Sequence, residues 1–228
     1  MERHYSVAID GPSGAGKSTI ARAAAQRFGF LYVDTGAIYR TVGLAAERRG
    51  IAYGDSAAVG ALLGGLEIRL GHGEDGVQRE FLGGEDVSGL IRTPEISRRA
   101  SDVSAMPAVR AFLLDMQRSL GRSMSVIMDG RDIGTVVLPD ADVKIFLTAS
   151  AECRAGRRFR ELAAKGIDMG FDEVLREIVA RDEHDSSRAA APLTVAEGAS
   201  VIDTSELTLA ESIEAVCTVI SEKLGVRP

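Results

Sequence analysis

The residues with the clearest chemical meaning lie near the N-terminus. Their spacing fits the pattern G-x-x-x-x-G-K-[ST], in which glycines turn backbone N–H groups toward phosphate oxygens. The lysine of such a loop reaches the terminal phosphates, the hydroxyl residue can ligate Mg²⁺, and the helix that follows directs its positive end at the anion. We therefore predict a nucleoside triphosphate site formed by Gly11, Pro12, Ser13, Gly14, Ala15, Gly16, Lys17, Ser18 and Thr19.

A second polar segment, Asp34–Arg40, follows the next apolar run of the chain. Thr35 is predicted to be the N-cap of a helix, and Arg40 lies about one turn further on. The guanidinium group and the helix N-terminus could then face the same anion.

Two more charged clusters occur later in the chain. Asp129–Gly134 contains two acids, an arginine and two glycines, and its simplest alternative interpretation is an ordinary turn after a strand. In Arg181–Arg188, helical spacing predicts that the first, fifth and eighth residues share one face.

These clusters must be positioned by alternating strands and helices. Short, almost purely apolar runs recur with helical patterns between them, which is typical of a parallel α/β sheet covered on both faces. Ligands of such sheets bind at the carboxyl ends of the strands, so Asp10, Asp34 and Asp129 are expected near the phosphate loop. The predicted strands are Val7–Ile9, Phe30–Val33, Val126–Met128, Val143–Leu147 and Val201–Ile202.

Two segments depart from this alternation. Between Gly65 and Val87, strand-like pieces flank a turn at Gly71–Gly76 and predict a small antiparallel sheet. Between Ser150 and Pro192, an arginine-rich helical hairpin with its tip at Lys165–Gly170 is typical of a mobile lid. A solvated amphipathic helix pair is the alternative for about half of those arginines.

We predict one domain over residues 1–228, with its core at about 1–62, 88–154 and 169–228, an acceptor-domain insert at about 63–87 and the lid at about 155–168.

Composition narrows the function classes. A net charge of −6 argues against a general nucleic-acid binder. The longest apolar runs are too short for a membrane span, and the N-terminal residues fit neither a signal nor a transit peptide. We expect a cytoplasmic monomer with no nucleic-acid or membrane partner.

The chain does not fit the pattern of a guanine-specific switch. None of the chain's 4 lysines is followed two residues later by aspartate, and the chain contains no asparagine. Motor and transporter ATPases need more chain, which leaves small-molecule kinases.

The sequence resembles the bacterial cytidylate kinases over essentially its whole length. The phosphate loop is common to many folds, whereas the later motifs are far more specific. The resemblance rests on five segments: Ile9–Lys17, Asp34–Arg40, Gly84–Ser88 with Ile91–Thr93, Asp129–Val137, and Arg181–Arg188 with Ala191–Leu193.

This resemblance implies a P-loop kinase fold and the transfer of a phosphate from ATP to CMP or dCMP with Mg²⁺. Ser101, Arg110 and Asp132 would read the cytosine edge, and Arg181 and Asp185 would hold the ribose. Arg40, Arg131 and Arg188 would clamp the acceptor phosphate beside Thr35 and Tyr39. Catalysis would rest on Lys17, Arg131 and Arg188 with Arg157 and Arg158 of the lid, and Mg²⁺ would be held by Ser18 and, through water, by Asp129.

Two alternatives stay open from sequence. One is a P-loop kinase for another small acceptor, such as a different nucleotide, a sugar acid or shikimate. The other is a non-catalytic nucleotide-binding regulator that retains the loop without turnover.

Overall fold

The computed structural model describes residues 3–73 and 77–227. The chain divides into two compact units, a core unit made of Met1–Tyr32 and Gly121–Pro228 and an inserted unit made of Val33–Leu120. The finer bounds expected for the core, the acceptor-domain insert and the lid remain predictions.

Strands and helices alternate along most of the chain. The strands are β1 (Ser6–Asp10), β2 (Leu31–Asp34), β3 (Ile68–His72), β4 (Gln78–Leu82), β5 (Glu85–Asp86), β6 (Val126–Gly130), β7 (Val143–Thr148) and β8 (Ser200–Asp203). The helices are α1 (Lys17–Phe28), α2 (Thr35–Arg48), α3 (Ser56–Leu63), α4 (Pro94–Ser104), α5 (Pro107–Ser123), α6 (Ala151–Ala164), α7 (Phe171–Ser187) and α8 (Leu209–Leu224), with a short 3₁₀-helix at Leu90–Arg92 and a π-helix at Ile133–Val137.

The large sheet has five strands in the order β2-β6-β1-β7-β8, and β1 pairs in parallel with both β6 and β7. Parallel pairing requires crossover connections, and the helices between the strands supply them. Val7 and Ile9 of β1 are fully buried in a cluster that includes Ile20 of α1 and Ile220 of α8. The predicted parallel α/β architecture is confirmed.

The inserted unit contains the small sheet, in the order β3-β4-β5 with antiparallel pairing. This sheet was also predicted, although Glu74–Gly76 of its expected turn lie outside the described residues. Ile38 and Val42 of α2 belong to a buried cluster with Leu113 of α5, which gives this unit a hydrophobic core of its own.

The arginine-rich hairpin consists of α6 and α7, as the sequence predicts. Its inner face is more apolar than the arginine pattern indicates, because Leu162 of α6 and Ile178 of α7 are buried in one shared hydrophobic cluster. Ile167 and Met169, at the tip, pack against the same cluster. The tip is therefore not purely polar, since these two residues between Gly166 and Gly170 turn inward.

Candidate active site

The phosphate loop links β1 to α1 and depends on glycine where the backbone is crowded. Gly11 has φ +151°, and a Cβ atom there would lie 1.9 Å from the carbonyl oxygen of Leu147 on β7. Gly16 occupies the N-cap of α1 with φ +86°, a left-handed conformation that side chains disfavour. The loop is thus held at the carboxyl end of the sheet, directly before a helix N-terminus.

Lys17 begins α1 and is buried, with 6% of its surface exposed. Its Nζ donates a hydrogen bond of 2.7 Å to the carbonyl oxygen of Pro12, inside the loop. Burial lowers the pKa of Lys17 well below its usual value, and the nearby positive charge of Arg131 lowers it further, against the opposing charges of Asp129 and Asp185. A phosphate group would supply the negative charge that this buried ammonium group needs.

Ser18 and Asp129 form the predicted metal-binding pair. The Ser18 hydroxyl donates to Oδ2 of Asp129 over 3.0 Å, and the Tyr32 hydroxyl donates to Oδ1 over 2.9 Å. Hydroxyl and carboxylate oxygens are the hard ligands that Mg²⁺ prefers, so these residues fit the ion. No cluster of three or more acidic, histidine or cysteine ligands occurs among the described residues.

Arg131 and Arg188 converge on one buried carboxylate. The Arg131 Nε donates to Oδ2 of Asp185 over 2.8 Å, and an Nη2 hydrogen bond joins Arg188 to Oδ1. Burial alone would raise the pKa of Asp185, but the charges of Arg131, Arg188 and Arg181 outweigh it and lower this pKa below its usual value. Arg188 is the C-cap residue after α7, with φ −56° and ψ 134°, so the prediction that it shares a helical face with Arg181 and Asp185 is wrong. Its side chain nevertheless forms an ion pair with Asp185, three residues earlier in the chain.

Asp132 stands at the N-cap position of the π-helix and is buried, at 4% exposure. The first N–H groups of this helix are capped by another residue. Asp10, at the end of β1, accepts hydrogen bonds from Ile133 N over 2.8 Å and from Gly134 N over 2.7 Å. The π-helix, which often marks functional sites, is therefore tied to the strand that leads into the phosphate loop.

The lid arginines have different partners. Arg154 donates two hydrogen bonds to Asp182 of α7, at 3.0 and 2.6 Å, and a third to the carbonyl oxygen of Ser13 in the phosphate loop. Arg157 donates to the carbonyl oxygen of Thr204 over 2.7 Å and to its hydroxyl over 3.1 Å. Arg158 pairs with Glu161 along α6 at 2.8 Å. Arg154 and Arg157 thus anchor the hairpin near the donor loop, and the catalytic role expected of Arg157 and Arg158 stays a prediction.

In the inserted unit, α2 begins at Thr35, but its N-cap is Asp34. The Asp34 Oδ1 accepts a 2.9 Å hydrogen bond from Ala37 N, and its Oδ2 accepts one of 2.9 Å from Nη2 of Arg40. The prediction of Thr35 as N-cap is wrong, because the carboxylate one residue earlier reaches the same helix N-terminus. Thr35 itself is buried at the first helical position.

The other residues of the inserted unit that are predicted to bind substrate lie on α2, α4 and α5. The guanidinium group of Arg110 lies over the Tyr39 ring, 5.8 Å from its centroid, and donates to the carbonyl oxygen of Ser104 over 3.3 Å. The Ser104 hydroxyl in turn donates to the carbonyl oxygen of Ser101 over 2.9 Å. Ser101, Tyr39 and Arg110 are thus linked by contacts within the inserted unit, and their roles in substrate binding remain predictions.

Comparison with known proteins identifies the family of this chain. The family model described as Cytidylate kinase matches residues 7–222. The chain belongs to the cytidylate kinase family. The cytidylate kinase of Syntrophotalea carbinolica is 48% identical over 99% of this chain and 96% of its own length. That of Caldanaerobacter subterraneus subsp. tengcongensis is 50% identical over 92% of each chain.

Solved structures support the fold of this cytidylate kinase family member. A shikimate kinase from Bacteroides thetaiotaomicron superposes with a TM-score of 0.50 at 16% identity, covering 97% of this chain and 99% of its own. An uncharacterised protein from Eubacterium ventriosum gives a TM-score of 0.52 at 10% identity, covering 96% and 99%. At these identities the likeness concerns the fold alone. Within the described chain, no helix combines the length and apolar character needed to cross a membrane.

The structure adds site residues that the sequence analysis did not single out. Arg92, at the end of the 3₁₀-helix, has its Nη2 3.9 Å from Oδ2 of Asp34, so a second arginine lies beside Arg40. Its place inside the family motif Ile91–Thr93 was the available signal. The pairing of Arg154 with Asp182 carried no such signal, because the two residues belong to different helices.

Proposed function

We propose that this protein transfers the terminal phosphate of ATP to CMP or dCMP, giving ADP and CDP or dCDP. Membership of the cytidylate kinase family supports the substrate pair. One observation carries the chemistry. The buried Lys17 of the phosphate loop interacts electrostatically with Arg131 and Asp185, and the Asp185 carboxylate orients Arg131 through an ion pair. Phosphoryl transfer needs concentrated, fixed positive charge more than covalent help from the protein.

On the donor side, the N–H groups of the phosphate loop and Lys17 bind the β- and γ-phosphates. An oxygen of the acceptor phosphate attacks the γ-phosphorus, and the bond from that phosphorus to the β–γ bridging oxygen breaks as its electron pair passes to ADP. An acceptor phosphate oxygen is already anionic, so the chain needs no general base. Ser18 and, through water, Asp129 would hold Mg²⁺, which would neutralise charge on the donor phosphates.

On the acceptor side, Arg131 and Arg188 bind the CMP phosphate together with Arg40, and Thr35 and Tyr39 shape the pocket. The buried Asp185 fixes Arg131 and Arg188, and each of its oxygens has a second lone pair for the ribose hydroxyls. Arg181 completes the ribose contacts. Asp132, Arg110 and Ser101 read the cytosine base, whose amino donor and N3 acceptor match a carboxylate and a guanidinium group.

The proposed function also specifies a cellular location, an oligomeric state and the absence of macromolecular partners. The protein acts as a cytoplasmic monomer and uses no nucleic-acid or membrane partner, in line with its net charge of −6. Size-exclusion chromatography with light scattering at micromolar concentration tests the monomer directly.

A coupled assay of ADP release tests the activity. The protein is given ATP and Mg²⁺ with each of CMP, dCMP, UMP, AMP, GMP, shikimate and a sugar acid. We expect turnover with CMP and dCMP far above all other acceptors, and none when Mg²⁺ is removed with EDTA. Turnover only with a non-nucleotide would favour the alternative kinase, and tight nucleotide binding without any ADP release would favour the regulator.

A further inference from the structure

A pair of buried polar side chains on β4 has no part in the chemistry described above. Gln78 and Glu80 are 3% and 0% exposed, and as residues two apart on a strand they point to the same face. Burying an amide and a carboxyl group is unfavourable unless their hydrogen bonds are made. Their hydrogen-bond partners therefore indicate which part of the molecule the two side chains hold in place.

The Gln78 amide pairs with the backbone of Asp34 in both directions. Asp34 N donates to Oε1 of Gln78 over 2.8 Å, and Nε2 of Gln78 donates to the carbonyl oxygen of Asp34 over 3.2 Å. The side chain thus binds the last residue of β2 much as a neighbouring strand would. Asp34 is the N-cap of α2 and the carboxylate that accepts from Arg40.

Glu80 fixes which way the Gln78 amide faces. The Gln78 Nε2 also donates to Oε1 of Glu80 over 2.7 Å, so the NH₂ group must point toward the carboxyl group and the amide oxygen toward Asp34 N. The backbone of Glu80 is itself held, because Glu80 N donates to the Ser88 hydroxyl over 2.9 Å. Burial, followed by the charge of Asp34, raises the pKa of Glu80 above its usual value. Oε1 of Glu80 is thus the acceptor on which the orientation of the Gln78 amide depends.

Arg40 is the end of this chain of contacts. Its Nη2 donates to Asp34, while its buried Nε has no hydrogen-bond partner among the described residues and remains available as a donor. A displaced Asp34 would change the orientation of the guanidinium group, because this carboxylate is the partner that holds it. Bidentate recognition of a phosphate depends on that orientation.

We propose that Gln78 and Glu80 are positioning residues for the acceptor phosphate, which act by fixing Asp34 and through it Arg40. The inference rests on the proposed function, since it assumes that Arg40 binds the phosphate of CMP. The small antiparallel sheet would then contribute to substrate binding, because β4 supports the start of α2 through Gln78.

Binding of CMP is compared with binding of cytidine, which lacks the phosphate, by isothermal titration of the full chain. Gln78→Met should weaken CMP binding roughly tenfold, equivalent to about 1.4 kcal/mol, and change cytidine binding less than about twofold. Glu80→Met should weaken CMP binding in the same selective way. Glu80→Gln, which keeps an acceptor oxygen for Gln78, should restore CMP affinity to about the wild-type value.

A double-mutant cycle with Arg40→Ala separates positioning from a general structural role. In the Arg40→Ala background, Gln78→Met should weaken CMP binding by less than about twofold, because the group it positions has gone. Glu85→Ala is the matched control: Glu85 lies on the same small sheet, but its side chain pairs with Arg48 at the surface. It should leave the binding of both ligands unchanged.

Equal weakening of CMP and cytidine by Gln78→Met, or full additivity with Arg40→Ala, would overturn the proposal. If Gln78→Met fails to give a cooperative melt, the Glu80→Met and Glu80→Gln pair decides the question by the same comparison. Wild-type protein that binds cytidine as well as CMP would overturn both this inference and the role of Arg40. Wild-type protein that prefers CMP, with variants that weaken both ligands alike, would remove the positioning role only.

Discussion

At the scale of single residues, Lys17 is the group on which transfer should depend most. It is buried beside Arg131, and its burial lowers its pKa, so its charge is sustained mainly by anions. Lys17→Ala should lower kcat by roughly a hundredfold or more, since one charge-assisted contact formed in the transition state is worth about 3–4 kcal/mol. The melting temperature should fall little, because the mutation also removes a desolvated charge.

The ADP-release assay and a thermal melt check this prediction together. Lys223→Ala, at an exposed position on α8, is the control and should keep normal activity and stability. A Lys17→Ala protein with near-normal turnover would contradict the phosphate-loop assignment.

Base selection should reside in Asp132, which is buried at the start of the π-helix. Uracil presents an acceptor where cytosine presents its amino group, so a carboxylate discriminates between the two bases. Asp132→Ala should lower kcat/KM for CMP by roughly a hundredfold and that for UMP much less, because mismatched buried polar groups discriminate strongly.

Steady-state kinetics with both nucleotides measure this difference, and Asp172→Ala, at an exposed position on α7, provides the comparison. Equal losses with CMP and UMP would move Asp132 out of the base site.

At the scale of elements, the α6–α7 hairpin should act as a closing lid. It has its own apolar cluster, with Ile167 and Met169 of the tip packed on it. Its link to the phosphate loop is polar, because Arg154 donates to the carbonyl oxygen of Ser13 and Arg157 to that of Ala15. We expect amides of Arg157–Gly170 to exchange faster without ligand than with both nucleotides bound, because closure adds contacts to the phosphates.

Hydrogen exchange with and without a two-substrate analogue tests this motion. Replacing Arg157 and Arg158 together by alanine should slow transfer by about tenfold or more and leave the KM for CMP nearly unchanged. Arg160→Ala serves as control, since this exposed side chain bonds the carbonyl oxygen of its own helix at Gly156. Unaltered exchange on ligand binding, combined with full activity of the double variant, would show that these arginines are solvated surface charge.

At the scale of the whole molecule, Asp10 should leave a signature in the pH dependence of stability. Burial raises the pKa of Asp10 from 3.8 to about 6, although hydrogen bonds from Gly134 N and Ile133 N and the charge of Lys17 oppose the increase and Asp132 adds to it. Between these two values the folded protein binds more protons at this site than the unfolded chain. The free energy of unfolding should therefore fall as pH rises through this window, by about 3 kcal/mol from this group.

Asp10→Asn removes the titrating group and should flatten this part of the profile. Urea denaturation of both proteins from pH 4 to pH 7, without nucleotide or Mg²⁺, gives the comparison. The stabilising contribution of protonated Asp10 is complete below its unfolded pKa and is lost as pH rises through its folded pKa. Parallel profiles for the two proteins across this range would contradict the assignment.

The sequence by itself determined the features that local patterns encode. Apolar runs such as Val7–Ile9 and Val126–Met128 identified strands of the parallel sheet, because a strand buried on both faces needs unbroken hydrophobicity. The glycines and the lysine of the loop identified a phosphate site, since their backbone conformations and charge suit little else. The family motifs supplied the acceptor.

Only the tertiary structure decided which polar groups meet. Asp10 caps a helix 123 residues away, Gln78 holds Asp34 across 44 residues, and Arg154 binds Asp182 in another helix. Local spacing also misassigned the N-cap of α2 to Thr35 and the position of Arg188. Periodicity specifies which face of an element is buried, whereas the partner of a buried polar side chain depends on how distant elements pack. The sequence therefore indicated the loop and the sheet, and the packing decided how the aspartates and arginines around them are held.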